Sequence, residues 1–523
     1  MIMNTILLPD ILRMCRQTVF KGTAVMFAML LACSAGAYAE KVKVNTLYFN
    51  LNSEDNTAEV APSEEDGTYV SGALTIPSTV AYDGVQYAVT GIGNDAFSFC
   101  TGIMSVTIPQ SVLRIGDYAF AGCTKLSTVT FRFSKLAEIG AGAFDGCEQL
   151  GSITIPSTVT KIGDWAFHGC TKLSTVVVPE SVNSLGKAVF MRCTNLTTVG
   201  LQNYGTEIPD QIFNQCTNLK ALKLSDTYRR VGYAAFYNCT SLSNVEYSDS
   251  CRVIAPAAFM SCTALYSIIL SPLVEEIGHD AFLACGNLKS IDLPDSLRYI
   301  GDRAFKDNES LESITMSDSV KYLGEEAFRN DVSLKSAVLS DSLNSIADYT
   351  FAGCSSLSEV NIPYNATTIG DYAFNGCGSF GAIDFSEKVE SIGEYAFADC
   401  GQIGHVTMPK TIVSIGDYAF WGDTINTLFA GWDEPVPVTA TTFRKINTLY
   451  VPSGKIINYR LKQGWKNATV FRSVEDPVGV ENIETDNNGE DDGAYYTLEG
   501  IRVENPKEGI YIHNGKKILI RRK

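Results

Sequence analysis

Phenylalanine stands at positions 97, 120, 144, 167, 190, 213, 236, 259, 282, 305, 328, 351, 374, 397, 420 and 443, every step being 23 residues except one of 24. A chain of 523 residues would otherwise suggest three or four globular domains. A period this short, held this long, instead requires a stack of like units. One unit cannot bury its own apolar face, whereas sixteen share a continuous core.

The text around each Phe repeats as well. Ile115-Gly116-Asp117-Tyr118-Ala119-Phe120 is followed by Cys123, Leu126 and Val129, and Ile162-Gly163-Asp164-Trp165-Ala166-Phe167 by Cys170, Leu173, Val176 and Pro179. Counted from the Phe, apolar residues fall at +6, +9, +11, +15 and +18. The +9 to +11 segment alternates and is β-branched, as in Ile153-Thr154-Ile155, so each repeat is expected to supply one short strand. Pro at +12 (Pro109, Pro156, Pro179) closes it, having no N–H to continue a ladder. Gly at +19 and an acid at +20 (Asp117, Asp164, Asp302, Asp348, Asp371, Glu394, Asp417) lead into the next Phe. A carboxylate there holds free amides of a first turn, and the Asp-Tyr-Ala-Phe-Ala-Gly-Cys segment reads as one helical or 3₁₀ turn.

Twelve of the fifteen cysteines occupy the +3 column, from Cys100 to Cys400. The same column holds Asn308, Asp331 and Asp423, which form no disulfide but hydrogen-bond a turn. The column therefore reads as a buried ladder of small side chains bonding backbone, against the alternative of a disulfide framework. No C-x-x-C is present and the four His are scattered, so no metal site is expected.

The segment 157–176, Ser-Thr-Val-Thr-Lys-Ile-Gly-Asp-Trp-Ala-Phe-His-Gly-Cys-Thr-Lys-Leu-Ser-Thr-Val, resembles the BspA-like class of leucine-rich repeats. The expected fold is an α/β repeat solenoid, a right-handed leucine-rich repeat array of about sixteen 23-residue repeats on one parallel β-sheet, with a small C-terminal β module. The resemblance implies a surface or secreted protein of bacterial, Bacteroidota type; better-studied members act as adhesins for extracellular matrix proteins and other bacteria.

The ends fit export. Arg13, Arg16 and Lys21 precede an apolar run, and Ala37-Tyr38-Ala39 is a signal-peptidase pattern, so residues 1–39 read as a signal peptide. The alternative is a lipobox ending at Cys33, a lipid anchor. An N-terminal cap is expected over 40–73, the solenoid over 74–471, and an acidic linker over 472–494. In 495–523 an Asn-Gly pair between apolar runs signals a hairpin; the module resembles the C-terminal sorting module of Bacteroidota type nine secretion, or is a plain terminal hairpin. The mature chain offers no membrane span, and the destination is secretion or the outer surface of a Gram-negative cell.

The net charge of -17 argues against nucleic acid as partner. Catalysis needs unlike groups converging on one place, whereas a solenoid offers rows of like residues; His168 beside Cys170 is an accident of the repeat, no enzyme is expected and no cofactor is implied. Two rows face outward. The +8 column is a run of small hydroxyls such as Ser105, Thr128 and Thr175; two residues before the Phe stand Tyr118, Trp165, Tyr349, Tyr372, Tyr395 and Tyr418, the last four in consecutive repeats. The aromatic row is the candidate ligand-binding site, although simple stacking between neighbouring turns explains it without a ligand. The function expected is an adhesin-like binding protein for host matrix, mucin, glycan or other-cell ligands; the alternative is a non-binding structural spacer.

Overall fold

The computed structural model describes residues 40–63, 70–201, 205–224, 227–246 and 249–474, together with the backbone of four C-terminal strands within 495–520. The leader with Cys33 and most of the acidic linker lie outside the described residues. The repeats form a β-solenoid of about sixteen turns, with parallel strand ladders along its length.

Each turn contributes to two ladders rather than to one sheet. The expected strand is there, for example Thr128–Phe131, Thr175–Val178 and Thr198–Leu201, its outward residues alternating with buried ones. A second, two-residue strand falls six and five residues before the next Phe, as in Arg114–Ile115, Glu138–Ile139 and Lys161–Ile162, each paired in parallel with the next. Its single apolar residue per turn is too short a run to announce a strand in sequence. Two residues still suffice where the neighbouring turns present the same pair in register.

The segment around the Phe is not the helical turn expected from its composition. The residue at -2 and the residue at +2 both lie in the left-handed region, Tyr118 at φ 54° and Gly122 at φ 69°, for example. A helix would direct amides back along its own chain; here Tyr118, Phe120 and Gly122 donate forward to the carbonyls of Ala141, Ala143 and Asp145 in the next turn, at 2.7, 2.8 and 2.7 Å. Alternate amides thus pair turn to turn, while those between them, Ala121 to Tyr118 and Cys123 to Phe120, close single three-residue turns at 3.0 and 3.1 Å, so no continuous helix forms. The described residues hold only one short α-helix, Ile456–Arg460, and one 3₁₀ turn, Trp465–Asn467.

Inside this frame the Phe rings stack in one unbroken row, neighbouring centroids lying between 5.0 Å (Phe374–Phe397) and 5.9 Å (Phe190–Phe213) apart. Beside them runs the cysteine column. From Cys123 onward each thiol of the column donates to the Phe carbonyl of the preceding turn, Cys123 to Phe97 at 3.2 Å and Cys354 to Phe328 at 3.0 Å, and the thirteen cysteines described are all buried and unpaired. Asn308 keeps the pattern by donating its amide to the Phe282 carbonyl at 3.1 Å. Close stacking also explains the glycine before the acid: a Cβ on Gly163 would stand 2.5 Å from the Ala141 nitrogen.

Both ends of the core are covered. At the N-terminus Glu40–Val44, Leu47–Asn52 and Thr57–Ala61 form antiparallel pairs, and the last runs parallel to Val85–Ile92, which leads into the short ladder. At the C-terminus Phe420–Ala430, Phe443–Pro452 and Ala468–Val474 extend the long ladder. Trp465 is fully buried there against Phe443 and Tyr459, its indole donating to the Val436 carbonyl at 2.8 Å. Further on, Gly509–His513 and Lys516–Ile520 pair antiparallel, His513 opposite Lys516, as the Asn-Gly signal requires.

Candidate binding surface

The acids at +20 do hold free amides, but across turns. Asp117 accepts from the Ala141 amide at 2.8 Å, Asp348 from Asp371 at 2.8 Å and Asp371 from Glu394 at 2.7 Å. One carboxylate oxygen is thereby tied to the stack and the other is left to the surface, so a row of negative charge runs beside the next column.

That next column, two residues before the Phe, is the aromatic one. Its backbone is the same in every turn: Ala257 lies at φ 55°, Arg303 at 54°, Tyr372 at 56° and Trp165 at 54°. Side chains larger than alanine reach the surface from this left-handed turn, whereas Ala188, Ala234 and Ala257 are covered, so what the longer side chains do is a matter for the surface. From Tyr349 to Tyr418 the four rings stack at 4.7 Å with interplanar angles of 4° to 8°. Both ends of the row are closed. The Arg329 guanidinium lies 5.1 Å from the centre of the Tyr349 ring, and Trp421 meets Tyr418 edge-on at 5.6 Å.

The ring faces are therefore taken, and the row shows solvent its edges and hydroxyls. Desolvation first, then neighbouring phenols and carboxylates, push the Tyr372 and Tyr395 hydroxyls above their ordinary pKa, which keeps them protonated donors at neutral pH. The surroundings are acidic: residues 336–423 contain eleven Asp and Glu against Lys388 and Lys410. A ridge of phenol donors beside a carboxylate row can anchor a polar, extended partner through edges and hydrogen bonds.

Tyr118 and Trp165 do not join this row. Gly142 stands between them in the column, and a Cβ there would lie 2.5 Å from the Tyr118 ring, so the glycine makes room for that ring. The two are separate exposed aromatics, 39% and 42% accessible. Arg329 and Trp421 were not legible as parts of the row; both stand one residue after their Phe, and that this position overhangs the aromatic column follows only from the turn geometry.

On the strand face the +8 hydroxyls stand in register, Ser105 opposite Thr128, Thr175 opposite Thr198 and Ser267 opposite Ser290. His168 pairs with Asp145 at 2.7 Å, whereas Cys170 donates to the Phe144 carbonyl and burial pushes its thiol far up, so the two are not a nucleophile and its base. Among the described residues no helix is long and apolar enough to cross a membrane.

Comparison with known proteins agrees with this architecture. The family profile of the BspA-type leucine-rich repeat region, six copies long, matches residues 90–220, 184–312 and 298–427, so the chain belongs to that family. A leucine-rich repeat protein from Bacteroides ovatus is similar over 83% of this chain and all of its own, at 26% identity and a TM-score of 0.60. A leucine-rich cell surface protein from Faecalibacterium prausnitzii is 28% identical over 72% of this chain and 94% of its own, with a TM-score of 0.47. No curated protein sequence matches. Membership points to a cell-surface or secreted protein and a protein-binding scaffold, of a kind that is typically non-enzymatic.

Proposed function

We propose that this chain is an adhesin-like binding protein, secreted or displayed on the outer surface of a Gram-negative cell, that recognises an extracellular protein or glycan through its repeat surface. The observation that carries the reading is the aromatic column. One backbone conformation there accommodates Ala, Gln, Asp, Arg, Glu and Tyr alike, so packing does not demand tyrosine, yet four consecutive repeats have it and stack it beside free carboxylates. In this reading Tyr349, Tyr372, Tyr395 and Tyr418 form the principal site, and Tyr118 and Trp165 are outlying contacts.

The test is binding of the chain from Glu40 to Phe471 to arrayed matrix proteins, mucins and glycans, beside a variant with the four row tyrosines changed to Ser. A saturable hit lost in the variant supports the reading. Absence of any hit at micromolar protein returns the weight to a passive spacer.

A further inference from the structure

The single 24-residue step has a structural consequence far from the tyrosine row. Between the last strand residue and the next core residue, the flanking turns spend three residues, Pro109-Gln110-Ser111 and Pro156-Ser157-Thr158; the long repeat spends four, Arg132-Phe133-Ser134-Lys135. The extra residue is absorbed at Phe133, which takes φ 46° and stands 88% exposed. The long strand ladder is interrupted here, as it is also after Leu201, Glu246, Asp292 and Val360. Thr128–Phe131 pairs with Ile103–Ile108 on one side, but no strand pairing joins it to the following turn, whose one bridge, Ser152 to Thr175, goes to the far side.

A cleft of about 540 Å³ opens at this seam, lined by Phe133 and by the hydroxyls of Thr130, Ser134, Thr154, Ser157 and Thr158. Thr158 donates to the Leu136 carbonyl at 2.7 Å and Ser134 accepts from the Leu136 amide at 3.0 Å. The hydroxyls of Thr130, Thr154 and Ser157 make no hydrogen bond within the described residues, so their donor and acceptor capacity is open. The charge around the cleft is opposite to that of the molecule. The two stretches that line it, 129–134 and 154–158, carry Arg132 and no Asp or Glu, and Lys135 follows the first, in a chain of net charge -17. Lys161 is tied to Glu138 at 2.7 Å; Arg132 and Lys135 have no ion pair among the described residues.

We propose that this cleft seats an acidic glycan, a sugar ring lying on the free face of Phe133, its hydroxyls bonding Thr130, Thr154 and Ser157, and its carboxylate or sulfate groups meeting Arg132 and Lys135. The proposal rests on the reading of the chain as a binding protein and names a ligand class and a second site for it. A lipid surface would use the Phe and the cations but has no need of a hydroxyl-lined hollow. An added peptide strand would need a free sheet edge, whereas this seam lies inside the array with turns on both sides.

The test titrates heparin, hyaluronan, neutral dextran and phosphatidylglycerol vesicles against the full chain, Phe133→Ala, Arg132→Gln/Lys135→Gln, and a deletion of Phe133 that restores the 23-residue step. Phe133→Ala changes an exposed ring, so folding is not at stake in it. The expected result is saturable binding of at least one of the two acidic polysaccharides and not of dextran, weakened tenfold or more in all three variants and unchanged when the four row tyrosines are Ser. Binding that survives Phe133→Ala and the double Gln variant, binding to vesicles alone, or no acidic polysaccharide bound by the full chain would each overturn it. A matrix protein from the arrayed panel that binds through the tyrosine row would leave the wider binding reading intact while this one fails.

Discussion

Two stretches of one column make the most instructive contrast in the molecule. From Asp280 to Glu326 the residues before the core Phe are charged and satisfy one another: Arg303 grips Asp280 through two bonds of 2.7 and 3.0 Å, and Glu326 takes Lys306 at 2.6 Å and Arg329 at 3.1 Å. From Tyr349 to Tyr418 the same positions, in the same backbone conformation, hold stacked rings and no such network. Arg329 is the join, pairing with Glu326 behind it and covering Tyr349 ahead. The same stacked Phe row runs beneath both stretches, so the difference teaches that this column is written for the surface and can be rewritten without disturbing that row.

Both stretches rest on the stacked Phe row, so Phe305→Ala and Phe374→Ala should each cost about 3–5 kcal/mol on removing a buried ring, read by chemical denaturation. Unequal losses would place the difference in the core. The next effect concerns Asp423, which stands in the cysteine column under the end of the tyrosine row. One of its oxygens accepts from Gly401 at 2.9 Å, the other has no partner, and burial raises its pKa to about 7 against hydrogen bonds from Cys400 and Gly401 and the charge of Arg444, with Asp399 adding to the rise.

Because the folded pKa lies above the unfolded one, the folded form holds its proton more tightly. Stability from this group is full below about pH 4 and is lost as pH rises toward 7, a span worth up to about 4 kcal/mol. Melting followed from pH 4 to 8 should show Asp423→Asn, patterned on Asn308, losing that share of the slope. An unchanged slope would mean that Asp423 is ionised in the fold throughout.

Salt should then separate the two stretches. Raising NaCl from 0.05 to 1 M weakens the half-exposed pairs at Asp280, Arg303 and Glu326, each worth about 0.2–1 kcal/mol, and leaves the stacked rings unaffected. Hydrogen exchange resolved by segment reads this directly, and equal loosening of both stretches would erase the contrast. The smallest effect has an unusual sign: Ala257→Gly at φ 55° should raise stability by up to about 1 kcal/mol, since glycine adopts the left-handed turn without the penalty alanine bears there.

What the sequence showed, it showed through columns. The Phe row, the cysteine ladder, the outward +8 hydroxyls and the strand at +9 to +11 each recur in enough repeats to be read from spacing alone. The errors came where spacing and composition are silent about direction. Asp117-Tyr118-Ala119-Phe120 has the residues of a first helical turn, but its amides bond forward to Ala141 and Ala143, and only the stacked neighbour reveals that. The same holds for the two-residue ladder through Ile115 and Ile139. Of the six aromatic candidates, the four in consecutive repeats come together, whereas Tyr118 and Trp165 are held apart by Gly142, whose role at that position is to yield space. Phe133 belongs to no repeating column, and the one step of 24 is its only signal in the sequence.

The central claim is that the tyrosine row is dispensable to the fold and needed for recognition. It is tested most directly by rewriting the row in the idiom of the neighbouring stretch, Tyr349→Asp, Tyr372→Arg, Tyr395→Glu and Tyr418→Ala, and titrating the protein ligand found in the panel against both chains. The account predicts an unchanged melting transition, within a few degrees, and at least tenfold weaker binding. Equal affinity in the two chains, or a rewritten chain that no longer folds, would contradict it.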